Sequence, residues 1–502
     1  MKKLLRIALV VIIGLFVLGF AAYRLWFYNP YHDALRLNPE SIFSEGVSSD
    51  GLLIRNATLI DVVAGKAIPN TNLLIQGDSI AEVIYGNELE VPASVEVYEA
   101  QNKFIMPGLI DVHVHLAMHW HLISGDFSSR DSLVSKAALE QFVRYGVTTV
   151  LTLGGGGANN EQVAELKRLE RSNAIVAPLL FATGNLITAP GSHPITTIMR
   201  LSADTDSARL HQAGVTVVAE DDDPSFIIAN KKQLGLDGVK IIIESGPPPF
   251  YPNPRMSVKT AGKIIEHAAK YDLPVYAHTE SYAEFADAVH LGVHGVMHSV
   301  LDTLIDDVNL IERMKQKGIY YVPTLSIFYG FQYLEKPERL EDNFLQAGIS
   351  KRVLRGLEHP LFRFGFGRTL SRYDISEWLE TSMLNLVRLH DAGVKVALGT
   401  DASTPFNFPG YGVHVEMELM ARAGLSNADV LRIATINGAG FLGIEDKLGT
   451  LDAGKIANLL VLDKNPLTDI RNTRSIDRVI LKGHIIDPNE QTDEVDIKKR
   501  KQ

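Results

Sequence analysis

From about residue 104 onward, short apolar runs alternate with amphipathic stretches for more than 300 residues. Runs of four to eight apolar residues bounded by turn signals read as buried strands, and recurrence every three to four positions reads as helix. On that basis strands end near His115, Leu151, Phe181, Ile243, His278, His298, Leu325 and Gly399, with helical segments between them, such as 257–271 and Tyr282–Leu291. Eight strand–helix alternations in one block predict an α/β fold, a closed (β/α)8 TIM-like barrel over 104–445. An open doubly wound sheet is the alternative. It would be favoured by a phosphate-binding glycine loop, but Gly154-Gly155-Gly156-Gly157 lacks the Lys and Ser/Thr of such a loop and reads as a strand-end turn.

The flanks have a different rhythm. Leu52-Leu53-Ile54-Arg55, Asn72-Leu73-Leu74-Ile75 and Ile80-Ala81-Glu82-Val83-Ile84 are short strands separated by Gly and Asn turns. Ala457-Asn458-Leu459-Leu460-Val461-Leu462 and Asp477-Arg478-Val479-Ile480-Leu481 repeat that character near the other end. Two strand sets with open edges are most economically joined, so 51–103 and 446–487 are expected to build one composite β-sandwich domain. Residues 29–50 read as a polar linker and 488–502 as a polar tail.

The first 28 residues read as a targeting segment. Lys2, Lys3 and Arg6 precede an apolar run at 7–23, about long enough to span a bilayer, and Leu25-Trp26-Phe27-Tyr28 reads as an interfacial belt. The positive flank predicts a single-pass signal-anchor in the inner (cytoplasmic) membrane, with the remainder outside the cytoplasm. The alternatives are a signal peptide cut after Gly19-Phe20-Ala21, giving a periplasmic or secreted protein, and a buried core helix, which the charge asymmetry disfavours. A net charge of −10 argues against a nucleic-acid partner. Cysteine is absent, so disulfides, thiolate zinc sites and a cysteine nucleophile are excluded, leaving His, Asp and Glu as metal ligands.

Chemistry gathers at the strand ends. The first barrel strand runs into His113-Val114-His115, and period-two alternation puts both imidazoles on one side. Gly238-Val239-Lys240-Ile241, Val275-Tyr276-Ala277-His278, Gly295-Val296-Met297-His298 and Leu398-Gly399-Thr400-Asp401 each bring one more ligand type to an apolar run. Singly, His278 reads as a core histidine, Asp401 as a helix cap, and Lys240 as a rim lysine. His294 rivals His298 but precedes its strand rather than closing it. Five such ordinary readings at five strand ends are collectively improbable.

These residues resemble the amidohydrolase superfamily, in the branch of imidazolonepropionase-like proteins and Xaa-Pro dipeptidases. The resemblance spans about residues 51–487. It rests on residues 107–115, Gly146-Val147-Thr148-Thr149-Val150, Lys240 with Ser245-Gly246-Pro247, Ala277-His278, Met297-His298, Gly399-Thr400-Asp401, and the tail from Leu448-Gly449-Thr450 to Ala457-Asn458. It implies a two-metal site: His113, His115 and Asp401 on one ion, His278 and His298 on the other, and Lys240 as a bridge. An ammonium cannot bind a cation, whereas the N6-carboxylated lysine is an anion whose two oxygens can span two metals roughly 3.5–4 Å apart. The expected chemistry is hydrolysis of an amide-type C–N bond by a metal-bound hydroxide, with Asp401 moving the proton and Zn²⁺ as the default pair of ions.

The substrate is expected to be small: a dipeptide, an N-acyl amino acid or a cyclic amide. Competing readings are a mononuclear cyclic-amide hydrolase or deaminase of the same superfamily, and a membrane-tethered binding protein without turnover. His193 in Gly191-Ser192-His193-Pro194 resembles a substrate-contacting histidine of this branch, and Tyr251, in Pro247-Pro248-Pro249-Phe250-Tyr251, sits in an expected rim loop. His119 and His121 are assigned to the first strand-to-helix loop. The 326–373 insertion, rich in Arg, Phe and Tyr, reads as a lid, a packed helical insertion or a homo-oligomer contact.

Overall fold

The structure is a computed structural model that describes residues 37–44, 51–86, 93–116, 132–154, 159–195, 214–246, 253–349, 373–404 and 406–489, with isolated residues between 14 and 19 and between 354 and 367. The chain is α/β with parallel sheets. Strands from both flanks form one eight-stranded sheet: β1 (Leu52–Asp61), β2 (Lys66–Gln76), β3 (Ser79–Tyr85), β4 (Glu96–Glu99) and β5 (Phe104–Pro107) from one side, β15 (Leu459–Leu462), β16 (Ile476–Leu481) and β17 (His484–Ile486) from the other. The seam is antiparallel pairing of β15 with β5, Leu460 opposite Met106. Leu52, Ile54, Leu73, Ile75, Ile105, Leu459 and Val461 pack into one apolar cluster of this sheet. β5 belongs here, so the sheet extends past the expected boundary at residue 103.

The rest of the β structure is parallel. β6 (Leu109–Val114), β7 (Val147–Thr152) and β8 (Leu179–Ala182) form one sheet. β9 (Leu186–Thr188), β10 (Val215–Val217), β11 (Val239–Ile242), β12 (Val275–His278), β13 (Gly295–Met297) and β14 (Tyr320–Val322) form a second, in the order β10-β9-β11-β12-β13-β14. β6, β7, β11, β13 and β14 are buried along their whole length, which is why they read as continuous apolar runs without alternation. Residues 396–402 make no long strand but bridge both sheets: Val396 pairs with Tyr321 and Ala402 with Val114, each in parallel.

Helices lie between these strands. Tyr282–Leu291 forms as expected: Ser281 and Glu284 make a capping box, and Gly292 ends it in the left-handed region. The expected helix at 257–271 is Val258–Ala269, capped by Ser257. Within the stretch read as a linker, Pro39–Ser44 is helical, Leu37 is buried, and the Phe43 ring meets the edge of His484. The described part of the 326–373 insertion is helical and packed, with Phe328, Tyr333, Leu340 and Leu345 all buried. Among the described residues no helix is long and apolar enough to cross a membrane. The expected anchor at 7–23 lies, except for three residues, outside the described residues.

Candidate metal centre

Register brings the predicted residues together. Ile242 pairs with His278, His278 with Met297, and Met297 with Val322, so β11 to β14 finish level and deliver their terminal side chains at one depth. Asp401 reaches the same depth because its amide donates to the His113 carbonyl at 2.8 Å. That approach requires glycine at 399, where a Cβ would stand 2.7 Å from His113 Cβ and 2.5 Å from Val322 Cγ1. His298 and Asp401 are both in the left-handed region, at φ 72° and 60°. Non-glycine residues there cost on the order of 1–3 kcal/mol each, and such strain persists where surrounding structure holds a side chain for use.

Two groups of donors result. His113, His298 and Asp401 have ligand atoms within 4.8 Å of one another, and so do His193, Glu244 and His278. His113 Nε2 and His115 Nε2 lie 3.3 and 2.9 Å from Asp401 Oδ1. His115 Nδ1 bonds the Gly154 carbonyl, which can only accept, so the proton is on Nδ1 and the Nε2 lone pair faces the Asp401 carboxylate. Two acceptors facing each other at 2.9 Å repel, and a cation between them removes the repulsion. His298 shares a 2.8 Å hydrogen bond through Nδ1 with Thr324 Oγ1, leaving Nε2 free for the site. His298 Nε2, His278 Nε2, Glu244 Oε2 and Lys240 Nζ are buried without a hydrogen-bond partner among the described residues. Buried polar atoms are normally paired, so four orphans around one site, three of them metal-donor types, fit a divalent-cation site.

Electrostatics keep the donors ready. Burial, reinforced by neighbouring positive charge, pushes His113 and His298 well below the usual imidazole range and His278 to about 3, so all three are neutral near pH 7. Burial also lowers Lys240 to about 7 against the opposing pull of Asp401 and Glu244. Behind the site, Asp111 accepts from the His113 and Thr400 amides at 3.1 Å each and from Thr400 Oγ1 at 2.6 Å, tying β6 to the Asp401 turn. Glu416 accepts from the Leu325 and Ser326 amides at 2.9 and 2.6 Å, pinning the turn that carries Thr324.

Of the predicted residues, His113, His115, His278 and His298 stand at or just past strand ends, Asp401 in the bridging 396–402 segment, and Lys240 two residues before the end of β11 rather than at the expected strand end. His298 stands between both sets, its ring 4.7 Å from that of His113 and 4.1 Å from that of His278. His193 lies against the second group, its ring stacked on His278 at 5.3 Å. Tyr251, His119 and His121 lie outside the described residues. Glu244 was missed. It lies four residues beyond Lys240, so the alternation that places Lys240 also carries it to the same face, and that signal was present in the sequence.

Comparison with known proteins agrees with the fold. Residues 104–486 match the model of the amidohydrolase family. An imidazolonepropionase of Mesorhizobium japonicum is 25% identical over 423 residues, covering 82% of this chain and 90% of that protein. A Xaa-Pro dipeptidase crystal structure with methionine in its active site superposes with a TM-score of 0.67 at 22% identity, over 87% of this chain and all of that one. A molinate hydrolase structure gives 0.68 at 21% identity, over 88% of this chain and 95% of that one. The fold is therefore TIM-barrel-like, and the chain belongs to the amidohydrolase family, enzymes that act on amide-type carbon–nitrogen bonds.

Proposed function

We propose that the protein hydrolyses an amide-type C–N bond in a small substrate, a dipeptide, an N-acyl amino acid or a cyclic amide, using two divalent cations, Zn²⁺ by default. The observation that carries this is a buried, unpartnered Lys240 amine among neutral histidines and two carboxylates. Bound cations would polarise the scissile carbonyl and lower the pKa of water. His113, His115, His278 and His298 would hold them without adding charge. Asp401, fixed by its amide bond to His113 and flanked by two imidazoles, is placed to take the attacking water's proton and pass it to the leaving nitrogen. With its pKa near 7, Lys240 is partly neutral amine at physiological pH, the form that adds CO₂ to give a carbamate and release a proton. That carbamate is the proposed bridge.

The rival is a mononuclear cyclic-amide hydrolase or deaminase in which Lys240 is not a ligand. Metal analysis of the full-length protein, followed by a screen of dipeptides, N-acyl amino acids and cyclic amides, separates the readings. Two equivalents with amide hydrolysis support the first, one equivalent supports the rival, and none removes both.

Supporting a closed (β/α)8 barrel are the 396–402 bridges and the 2.8 Å bond from the Asp237 amide to the Ala182 carbonyl, which ties β8 to the chain entering β11. A composite sandwich built on the shared sheet remains part of this reading. Location rests on the sequence alone: Lys2, Lys3 and Arg6 before the 7–23 run favour an inner-membrane anchor with the barrel outside the cytoplasm. Release into the soluble fraction by alkaline wash would refute the anchor.

A further inference from the structure

Asp401 opens a strained turn. Asp401, Ser403 and Phe406 are all non-glycine residues in the left-handed region, at φ 60°, 72° and 62°. A backbone of that kind persists only where its surroundings hold it. At the centre of the support is Asn407, a buried amide that the ligand set does not use. Its side-chain nitrogen donates to the Thr400 carbonyl, on the peptide that enters Asp401, and to Ser326 Oγ at 3.2 Å. A carbonyl can only accept, so that contact fixes which side of the amide carries the nitrogen. Ser326 Oγ donates to the same carbonyl at 3.1 Å, closing a triangle. On the backbone, the Ser403 amide donates to the Asn407 carbonyl at 2.9 Å, and the Asn407 amide to the Thr404 carbonyl at 3.0 Å.

Ser326 opens the helix Ser326–Phe331, the first element of the 326–373 insertion. The same insertion meets the turn a second time, where the buried Phe406 ring stacks on Tyr333 with centroids 5.9 Å apart and planes at 18°. We infer that Asn407 is a positioning residue that clasps the Asp401 turn to this insertion, whose described part therefore serves as the frame of the proton-transfer group rather than as a lid over it. This rests on the reading of Asp401 as the group that moves the proton. Asn407 acts through the plane of the Thr400–Asp401 peptide, which aims the Asp401 side chain. The acids nearby cannot take its place. Asp111 accepts from the Thr400 amide and hydroxyl, and Glu416 from the Leu325 and Ser326 amides. The Thr400 carbonyl needs donors instead, and among the described residues Asn407 and Ser326 supply them.

The test compares Asn407→Ala and Ser326→Ala with a control, Asn72→Ala, in the full-length protein supplied with saturating zinc. Asn72 is also buried, and it holds the Asn56 amide and the Gly86 carbonyl at 2.9 Å each in the flanking sheet. On an amide substrate Asn407→Ala should lower kcat by about 10–100-fold with KM within about threefold, the pattern of a misaligned transition-state group. Ser326→Ala keeps one of the two donors and should lose less, and Asn72→Ala should keep its kcat. Added to Asp401→Asn, Asn407→Ala should cost less than about threefold more, because the group that it aims is gone. Hydrogen exchange read by mass spectrometry is independent of turnover: Asn407→Ala should quicken exchange about tenfold in both 396–404 and 325–334, and Asn72→Ala in neither. Full additivity with Asp401→Asn, an equal kcat loss in Asn72→Ala, or faster exchange confined to 406–408 would each overturn the inference. Should Asn407→Ala fail to fold, Ser326→Ala decides by the same measures. A wild type without amide hydrolysis, or an Asp401→Asn with normal turnover, would remove the proton-transfer reading instead. Exchange then decides the clasp alone, coupled acceleration upholding it and its absence overturning it.

Discussion

Lys231 and Lys240 are both fully buried, and burial lowers both amines to about 7, yet their surroundings differ. Lys231, on helix Ser225–Gln233, donates to the Thr183 and Asn185 carbonyls at 2.6 Å each, fastening the helix to the chain between β8 and β9. Lys240, on β11, has no hydrogen-bond partner among the described residues and is surrounded by metal-donor side chains. Burial alone therefore does not mark a functional lysine. A structural lysine has its donors satisfied by backbone carbonyls, whereas an amine left unsatisfied next to imidazoles and carboxylates is available for chemistry.

The same substitution at both positions should separate them most strongly in activity. Lys240→Met should lower kcat/KM on an amide substrate by on the order of 10²–10³-fold, the scale of losing a preorganised electrostatic group. Lys231→Met should leave it within about threefold, and a comparable loss there would erase the distinction. Asp401→Asn sets the next scale: it keeps the shape but loses the anionic donor and the proton acceptor, so kcat should fall roughly 10²-fold or more even with zinc supplied at saturating concentration. Near-normal turnover in that variant would put the base elsewhere.

Stability should reverse the order of the two lysines. Lys231→Met orphans two buried carbonyls, each worth about 1–3 kcal/mol, so urea unfolding should shift to lower denaturant. Lys240→Met replaces an unpaired buried amine with an apolar side chain of similar length, so the metal-free protein should be unchanged or more stable. Destabilisation by both substitutions to the same degree would mean that Lys240 is structural too.

The site was legible where a ligand-type residue ends or borders a continuous apolar run. His113, His115, Lys240, His278 and His298 end or border apolar runs, and the runs became β6, β11, β12 and β13. β9 and β10, three residues each, went unseen, whereas the equally short β13 was marked by the histidine that follows it. The 396–402 segment joins its neighbours by bridges rather than a ladder, and only the Gly399-Thr400-Asp401 motif marked it. No sequence pattern shows that His298 and Asp401 adopt the left-handed region, since that depends on what surrounds them. Lys231 was passed over because a lysine in a short polar helix reads as solvated, and its carbonyl partners come from a segment more than 40 residues away.

A pH dependence at Lys231 sharpens the same contrast. Its folded-state value of about 7 lies below the ordinary 10.5, so between those values the unfolded chain binds a proton that the folded protein has released. Stability of wild type relative to Lys231→Met should therefore rise as pH increases from about 7 to 10.5, by at most about 1.4 kcal/mol per unit. A difference that stays flat or falls across that window, measured by urea titration, would show that the two carbonyls hold the amine charged.

The most direct test of the central claim is ¹³C NMR of the zinc-reconstituted protein in ¹³C-bicarbonate, comparing wild type, Lys231→Met and Lys240→Met. A carbamate resonance should be present in wild type, persist in Lys231→Met and vanish in Lys240→Met. No such resonance in wild type, or one that survives Lys240→Met, would contradict the assignment of Lys240 as the carboxylated bridge.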